Sequence, residues 1–493
     1  MKNLLYTLAT IFVLFSIPQI AQAQVQKGQD IDGEAENDLA GISVSMPDAN
    51  TLAVGAQGND GGGANTGHAR IFKWNGNSWV QKGDDIEGER GISWSGRDVD
   101  MPDSNTIAIG AYRNGDNGTG AGHVRVFEWN GKSWDQKGED LDGEAAGDES
   151  GDAISMPDAN TIAIGAKFNA GNGTASGHVR IYKWGGTSWV QKGNDIDGEA
   201  EIDRSGGSVS MPDSNTVAIG AGGNDANGDG AGHVRIYEWN GKKWTQKGND
   251  IDGEAEGDGS GRSVSMPDVN TVAIGADING GNGRMAGHVR IYNWNGSKWI
   301  QKGQDIDGEN SIDRSGYSVS MPDSNTVAIG AEYNDGNGES AGHVRVYEWS
   351  GSEWVKTWSD IDGEAAGDNS GTSVSMPDAN TVAIGALVND GNGDKAGHAR
   401  VFTKYAVNTE TIHPIQEIEL YPNPTNNYVN IDLQNKVGSA RVTISNIQGQ
   451  FISEEYIDGS MRSTLTLPVK TGWYIISVQP QGGLPLRFKV LKI

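Results

Sequence analysis

The chain has 493 residues, 73 of them glycine, and 38 Lys and Arg stand against 65 Asp and Glu, a formal net charge of −27. That acidity excludes a nucleic-acid footprint or an anionic-membrane surface, both of which need an excess of basic side chains. Cysteine is absent, which excludes disulfides, zinc ribbons and thiol chemistry and leaves packing alone to hold the fold.

Residues 1–23 have a basic start at Lys2, an apolar run from Leu4 to Ile17 and the triplet Ala21-Gln22-Ala23. This is the pattern of a secretory signal peptide, cleaved between Ala23 and Gln24. The apolar run is shorter than the ~20 residues that cross a bilayer, and no later stretch approaches that length, so no transmembrane segment is expected.

A strict repeat follows. Gly-His recurs with His68, His123, His178, His233, His288, His343 and His398, every 55 residues, and Met-Pro-Asp keeps the same period from Met46 to Met376. Within a unit the hydrophobic period is two, with turn residues between short apolar runs. The motif SVSM leads through a Pro-Asp turn to a second strand, Thr51 to Ala56 in the first unit. A Gly/Asn-rich loop leads to GHARIFKW, and Asn75-Gly76 turns the chain into SWVQKG. Four short strands per unit, with no helical period, predict an all-β, seven-bladed propeller over residues 24–405.

The seventh unit stops after GHARVFTKY and lacks its WNGxxWVQKG strand, while Val25–Glu34 (VQKGQDIDGE) matches Val80–Glu89 (VQKGDDIEGE). The N-terminal strand is therefore expected to complete the last blade and close the ring, removing free sheet edges. The combination SGxSVSMPDANTVAIGA and GHVRIYEWNGxxWVQKG resembles the FG-GAP repeat of integrin-alpha-like propellers, with Ser-Gly for Phe-Gly in most units. The family's DxDxDG calcium loop is replaced here by MPDxNT, so its metal site does not carry over.

Beyond residue 405 the period ends. Residues 406–416 read as a linker, and 417–493 as a small β-sandwich of alternating strands with Asn-Pro and Gln-Gly turns. Tyr421-Pro422-Asn423-Pro424, the Ile447-Gln448-Gly449 turn, Gly472-Trp473-Tyr474 and the basic-apolar tail resemble the type A sorting domain of type IX secretion in Bacteroidota. The resemblance implies the type IX machinery as a partner and delivery to the outer-membrane surface or the medium.

Residues present in every blade do the same job in every blade, so the seven Gly-His-x-Arg motifs and the tryptophan pairs are read as structural. The loop Asn224–Asp229 offers Asp225, Asn227 and Asp229 as calcium candidates, but sister loops such as Asn169–Gly173 contain no carboxylate, which favours turn formation. Departures from the repeat are the better guide to function. The second unit departs most, with Trp94, Arg97, Asp98 and Asp100; Asp98 and Asp100 alternate onto one strand face and are acid/base candidates. Positions after each Gly-Ala also vary: Tyr112-Arg113, Lys167-Phe168, Asp277-Ile278, Glu332-Tyr333 and Leu387-Val388. Among these, Trp94, Tyr112, Arg113, Phe168 and Tyr333 are candidate contacts for a carbohydrate or protein ligand. The expected function is a non-enzymatic binding or adhesion module without a cofactor; the alternatives are a polysaccharide hydrolase or lyase, or a purely structural surface protein.

Overall fold

The computed structural model describes residues 24–89, 91–404, 419–421, 424–432, 439–446, 451–458, 462–468, 470–480 and 486–493. The signal peptide with Ala23, the 406–416 linker, Pro422, Asn423 and the Ile447-Gln448-Gly449 turn lie outside the described residues. All regular elements among the described residues are strands, and no helix is long and apolar enough to cross a membrane. The chain divides into two compact units, Met1–Tyr405 and Ala406–Ile493.

The first unit is a seven-bladed propeller. In blade 4 the strands run Ser208–Asp213, Thr216–Ala221, His233–Trp239 and Trp244–Gln246, antiparallel and in that spatial order. The innermost strand lines the channel. The second strand, Thr-x-Ala-x-Gly-Ala, is buried at every residue in all seven blades, as expected of a strand covered on both faces by neighbouring blades. Its glycine is required by that crowding: a Cβ on Gly110 would collide with the carbonyl of Gly151 in the next blade.

The outer strand differs from the expected SWVQKG run. It ends at Gln81 in blade 1, and a separate pair, Ile86–Glu87, rejoins the same third strand. The interruption comes from Lys82-Gly83. Gly83 takes a left-handed φ of 83° and lies against Trp129 of the next blade, where a side chain would not fit. Lys82 meanwhile reaches over the Trp129 and Trp134 rings, 5.0 and 4.8 Å from their centroids, and donates to Ser104 O. Each Lys-Gly therefore clamps the tryptophan pair of its neighbour.

Three further sets of bonds interlock the blades. Arg70, Arg125, Arg180, Arg235, Arg290, Arg345 and Arg400 each donate to a backbone carbonyl of the preceding blade's last strand at 2.5–2.8 Å. Six tryptophans, Trp79 through Trp354, donate Nε1 to the preceding blade's lysine carbonyl at 2.6–2.8 Å. Around the channel, Ser45 accepts from the Met101 amide, Asp100 from Met156, Ser155 from Met211, Ser210 from Met266, Ser265 from Met321, Ser320 from Met376 and Ser375 from Met46. This last set is a closed circle of seven, so the ring is continuous.

Closure takes place in blade 7, where Gln24–Gln26 pairs antiparallel with His398–Lys404 and Ile31–Asp32 continues the edge. Here Gln24 and Lys404 occupy the places of the missing tryptophan pair. Two substitutions compensate. Gln24 Nε2 donates to the carbonyls of Ser359 and Asp360 of the preceding blade, a cross-blade bond two to three residues beyond the position the tryptophan indoles use elsewhere. Trp358 stands where the other blades have the clamping glycine, fully buried against Met376, Val382 and Phe402.

The C-terminal unit is a β-sandwich of a three-stranded sheet (Glu419–Tyr421, Tyr428–Asp432, Arg462–Thr466) and a four-stranded one ordered Phe451–Asp458, Ser439–Asn446, Gly472–Pro480, Leu486–Lys492. Its core joins Val429, Ile431 and Leu465 of one sheet to Val442, Ile444, Tyr474, Ile476 and Val490 of the other. Tyr474 is part of this core and donates its hydroxyl to Lys470 O. Pro424 is exposed, and Gly472 begins its strand at a φ of 144°.

Candidate functional site

The varied positions of the repeat converge at one end of the ring. The residue just before the SVSM run, or its equivalent, in each blade, Ile42, Arg97, Asp152, Gly207, Arg262, Tyr317 and Thr372, lines the channel mouth together with Asp98. Three residues earlier, Leu39, Trp94, Glu149, Arg204, Gly259, Arg314 and Asn369 all hold a left-handed φ between 54° and 63°. Six of these seven are not glycine, so the fold holds a strained register all round this face. The positions following Gly-Ala lie at the same end, because the second strand runs antiparallel to the inner one and finishes beside its start.

These registers form three clusters. In blade 2, Trp94 packs edge-on against Tyr112 at 5.4 Å, and Arg113 lies over both rings while pairing with Glu149 at 3.1 Å. Tyr112 is buried beneath them, so Trp94 and the 48%-exposed Arg113 side chain form the surface. Between blades 2 and 3, Asp152 binds Arg97 at 2.9 Å and Lys167 at 2.7 Å. Burial alone would raise the Asp152 carboxyl, yet Arg97 and Lys167 hold it down at about 2. In blade 6, Arg314 pairs with Asp277 at 3.3 Å and Glu332 at 3.0 Å and stacks on Tyr317 and Tyr333. Phe168 adjoins the second cluster, with Lys167 and Arg204 over its ring. The five candidate ligand contacts thus share one face but not one pocket.

Asp98 and Asp100 face the channel and bond to blade 3. Asp98 accepts from the Ile154 amide at 2.8 Å, and Asp100 accepts from Met156 at 2.6 Å and from the Ser45 hydroxyl at 3.2 Å. Burial pushes Asp98 up to about 7, with Asp100 adding to the rise, and burial pushes Asp100 up to about 6; the amide donors oppose both. Each group holds its proton more tightly folded than unfolded. Their contribution to stability is therefore present at low pH and is lost as pH rises from about 4 through 7, at up to about 1.4 kcal/mol per pH unit for each group. Replacing both with serine, which the other blades carry at Asp100's position and all but blade 3 carry at Asp98's, is expected to raise the melting temperature at pH 8, with the gain shrinking toward pH 4. An equal shift at both pH values would contradict this account.

The calcium candidates are engaged in turns. Asp225 Oδ1 accepts from the Gly230 amide, and Asn227 Nδ2 donates to Gly253 and Glu254 carbonyls. Asp229 is exposed on the loop surface. A separate arrangement places carboxylates beside each repeated histidine, as in Glu34, His68 and Asp85. His68 Nδ1 lies 3.9 and 3.8 Å from the two carboxylates, but Glu34 is shared with the Arg70 guanidinium at 3.5 Å. Burial, then Arg70, draws His68 down to about 4, so the imidazole is neutral at pH 7. A guanidinium in the same cluster supplies the positive charge a cation would bring, which fits the interlocking role of the motif.

Reading the repeat singled out the blade 2 residues and those after Gly-Ala, but it did not single out Arg204, Arg262, Arg314 and Tyr317. Their signal is present in the seven-fold alignment: the x of SGxSVSM and the residue three before it change in nearly every unit.

Residues 419–487 match the family described as Secretion system C-terminal sorting domain. The C-terminal unit is thus a type IX sorting domain, which implies export to the cell surface or the medium through that machinery. No curated protein matches the chain. Among solved structures, the chain is similar to the β-propeller domain of the Trilobed protease from Pyrococcus furiosus, of open velcro topology: 11% identity, TM-score 0.38, 70% of this chain and 88% of that one. The GH74 xyloglucanase from Xanthomonas campestris gives 11% identity and a TM-score of 0.43, over 92% of this chain and 59% of that one. The Pyrococcus horikoshii acylaminoacyl peptidase gives 11% and 0.40, over 83% and 59%. The chain spans less than two thirds of the length of the peptidase and of the xyloglucanase. Likenesses at this level carry no argument about activity.

Proposed function

We propose that the propeller is a non-enzymatic binding or adhesion module, exported by type IX secretion, that engages an extracellular glycan or protein ligand with the varied end of its ring. One observation supports this most. Units of equal period keep the same residues at most of the positions where blades interlock, while varied aromatic and charged side chains gather around one channel mouth. A rigid scaffold with diversity confined to one face is the arrangement of a recognition surface. The resemblance to FG-GAP propellers agrees with it.

The test is binding of the mature chain to glycan and matrix-protein panels, repeated with Trp94, Arg113, Phe168 and Tyr333 changed to alanine. Binding lost with an unchanged melting temperature is the expected result; binding unaltered by all four changes, or none to any panel member, would refute it.

A second reading, a polysaccharide hydrolase or lyase, draws on the contrast between Asp98 near 7 and Asp152 near 2 on the same channel wall. Carboxylates pushed apart in this way can divide the roles of acid and base. Under this reading Asp98→Asn abolishes polysaccharide shortening. Under the binding reading no shortening occurs in either chain.

A further inference from the structure

One irregularity of the varied end is an absence of side chains. Over blade 4 a cleft of about 350 Å3 is lined by Lys167, Phe168, Arg204, Arg262, Asp277 and Arg314, with a floor of glycines. Three of those glycines occupy varied registers: Gly207 stands where other blades carry Arg97, Asp152 or Tyr317, Gly222 where they carry Tyr112, Lys167 or Glu332, and Gly259 where they carry Trp94 or Arg314. The backbone does not demand them. Gly207 and Gly222 are outside the left-handed region, and Gly259 at φ 63° matches Arg204 and Arg314 at 55°. Nor does crowding at Gly222 and Gly259, where a Cβ would approach no atom closer than 3.5 Å, while one on Gly207 would press on the Arg204 carbonyl at 3.2 Å. Their consequence is space.

What surrounds that space is cationic, in a chain of net charge −27: four basic side chains against the single carboxylate of Asp277. Lys167 and Arg314 are already neutralised by Asp152 and by Asp277 with Glu332. Arg204 and Arg262 are exposed and stand in no ion pair within 4 Å among the described residues, although Arg262 also acts on the Asp277 carboxylate and hydrogen-bonds Tyr317. Each guanidinium is instead stacked on an aromatic ring, Arg204 at 6.0 Å from the Phe168 centroid and Arg262 at 4.7 Å from that of Tyr317. A guanidinium held over a ring keeps N–H donors for a planar or tetrahedral oxyanion, those of Arg262 being shared with Tyr317.

We propose that this cleft binds an acidic sugar unit of a polysaccharide, its carboxylate or sulfate held by Arg204 and Arg262 and its ring seated over the glycine floor beside Phe168. The proposal rests on the binding-module reading and adds the ligand's chemistry and position. A sugar is favoured over an acidic peptide because the space is small for a ligand pocket, shallow and flanked by an aromatic side chain, which suits one or two pyranose rings. The remaining net negative charge repels a polyanion at distances beyond about 8 Å only weakly at physiological salt, so recognition falls to these local contacts.

The test is calorimetric titration of the mature chain, residues 24–493, with an oligogalacturonate, a chondroitin sulfate oligosaccharide, a neutral galactan oligosaccharide and poly-glutamate. The expected result is binding of the first or second, which tells carboxylate from sulfate, with Arg204→Ala and Arg262→Ala each weakening it about tenfold or more. Gly222→Trp, which fills the cleft without backbone strain, should abolish it. Equal binding of the neutral oligosaccharide, binding of poly-glutamate alone, no acidic oligosaccharide bound, or affinity untouched by all three variants would each overturn the assignment. In those cases, a ligand still lost on changing Trp94, Arg113 or Tyr333 would leave the binding-module reading standing, so the two failures are distinguishable.

Discussion

A chain lacking residues 24–32 is expected to lose the closed propeller altogether. These residues are the outer edge of blade 7, and they also supply the acceptors of blade 1. Without them, Arg70 loses Asp32 O, the Trp79 indole loses Lys27 O, and the Asn50 side chain loses Lys27. Each buried donor left unsatisfied costs about 1–3 kcal/mol, and the otherwise buried strand His398–Lys404 loses its ladder partner besides. The sum is comparable to the whole stability of a typical domain, about 5–15 kcal/mol. Limited proteolysis and thermal unfolding should show a non-cooperative, readily cleaved chain, and a peptide of residues 24–36 added in trans should restore resistance. A deletion variant melting like the full chain would show that the ring does not depend on this strand.

Trp358→Ala is expected to be the most destabilising single substitution, at about 3–5 kcal/mol, the usual cost of truncating a buried large aromatic side chain. At the other seams a glycine admits the neighbour's tryptophan pair; here that pair is absent, and one indole fills the space from the opposite side. Trp358→Gly, which restores the residue found in the other six blades, should therefore be at least as harmful as alanine. By contrast, glycine-to-tryptophan at Gly303 should clash with Trp349 and Trp354. Chemical denaturation of Trp358→Ala and Trp358→Gly decides this, and a loss below about 1 kcal/mol would mean the seam is not packed as described.

Both effects arise at the seams of blade 7, and they show where a reading of the repeat stops. Asp98 and Asp100 stood out in the sequence as two acids on one strand face, and that orientation is observed. Their amide partners on blade 3 were not legible, because Ile154 and Met156 are 56 residues away and meet them only when adjacent blades are in place. Arg204 and Arg262 vary visibly in the aligned repeat, but that they flank one cleft was hidden until the three glycines and two aromatic rings around them were brought together.

What the sequence determined by itself was everything that the repeat encodes locally: seven equal units, the period-two strands, the turns, the N-terminal segment that replaces the missing last strand, and the distinct C-terminal sandwich. Alternation and turn chemistry act over a few residues, and a 55-residue period without insertions repeats them faithfully. The tertiary structure alone decided which varied positions share a surface, which charges are neutralised there, and why a tryptophan replaces a glycine at one seam. Those outcomes depend on side chains from neighbouring blades, separated by about one period or by nearly the whole ring, which closure of the propeller brings within a few ångströms of one another.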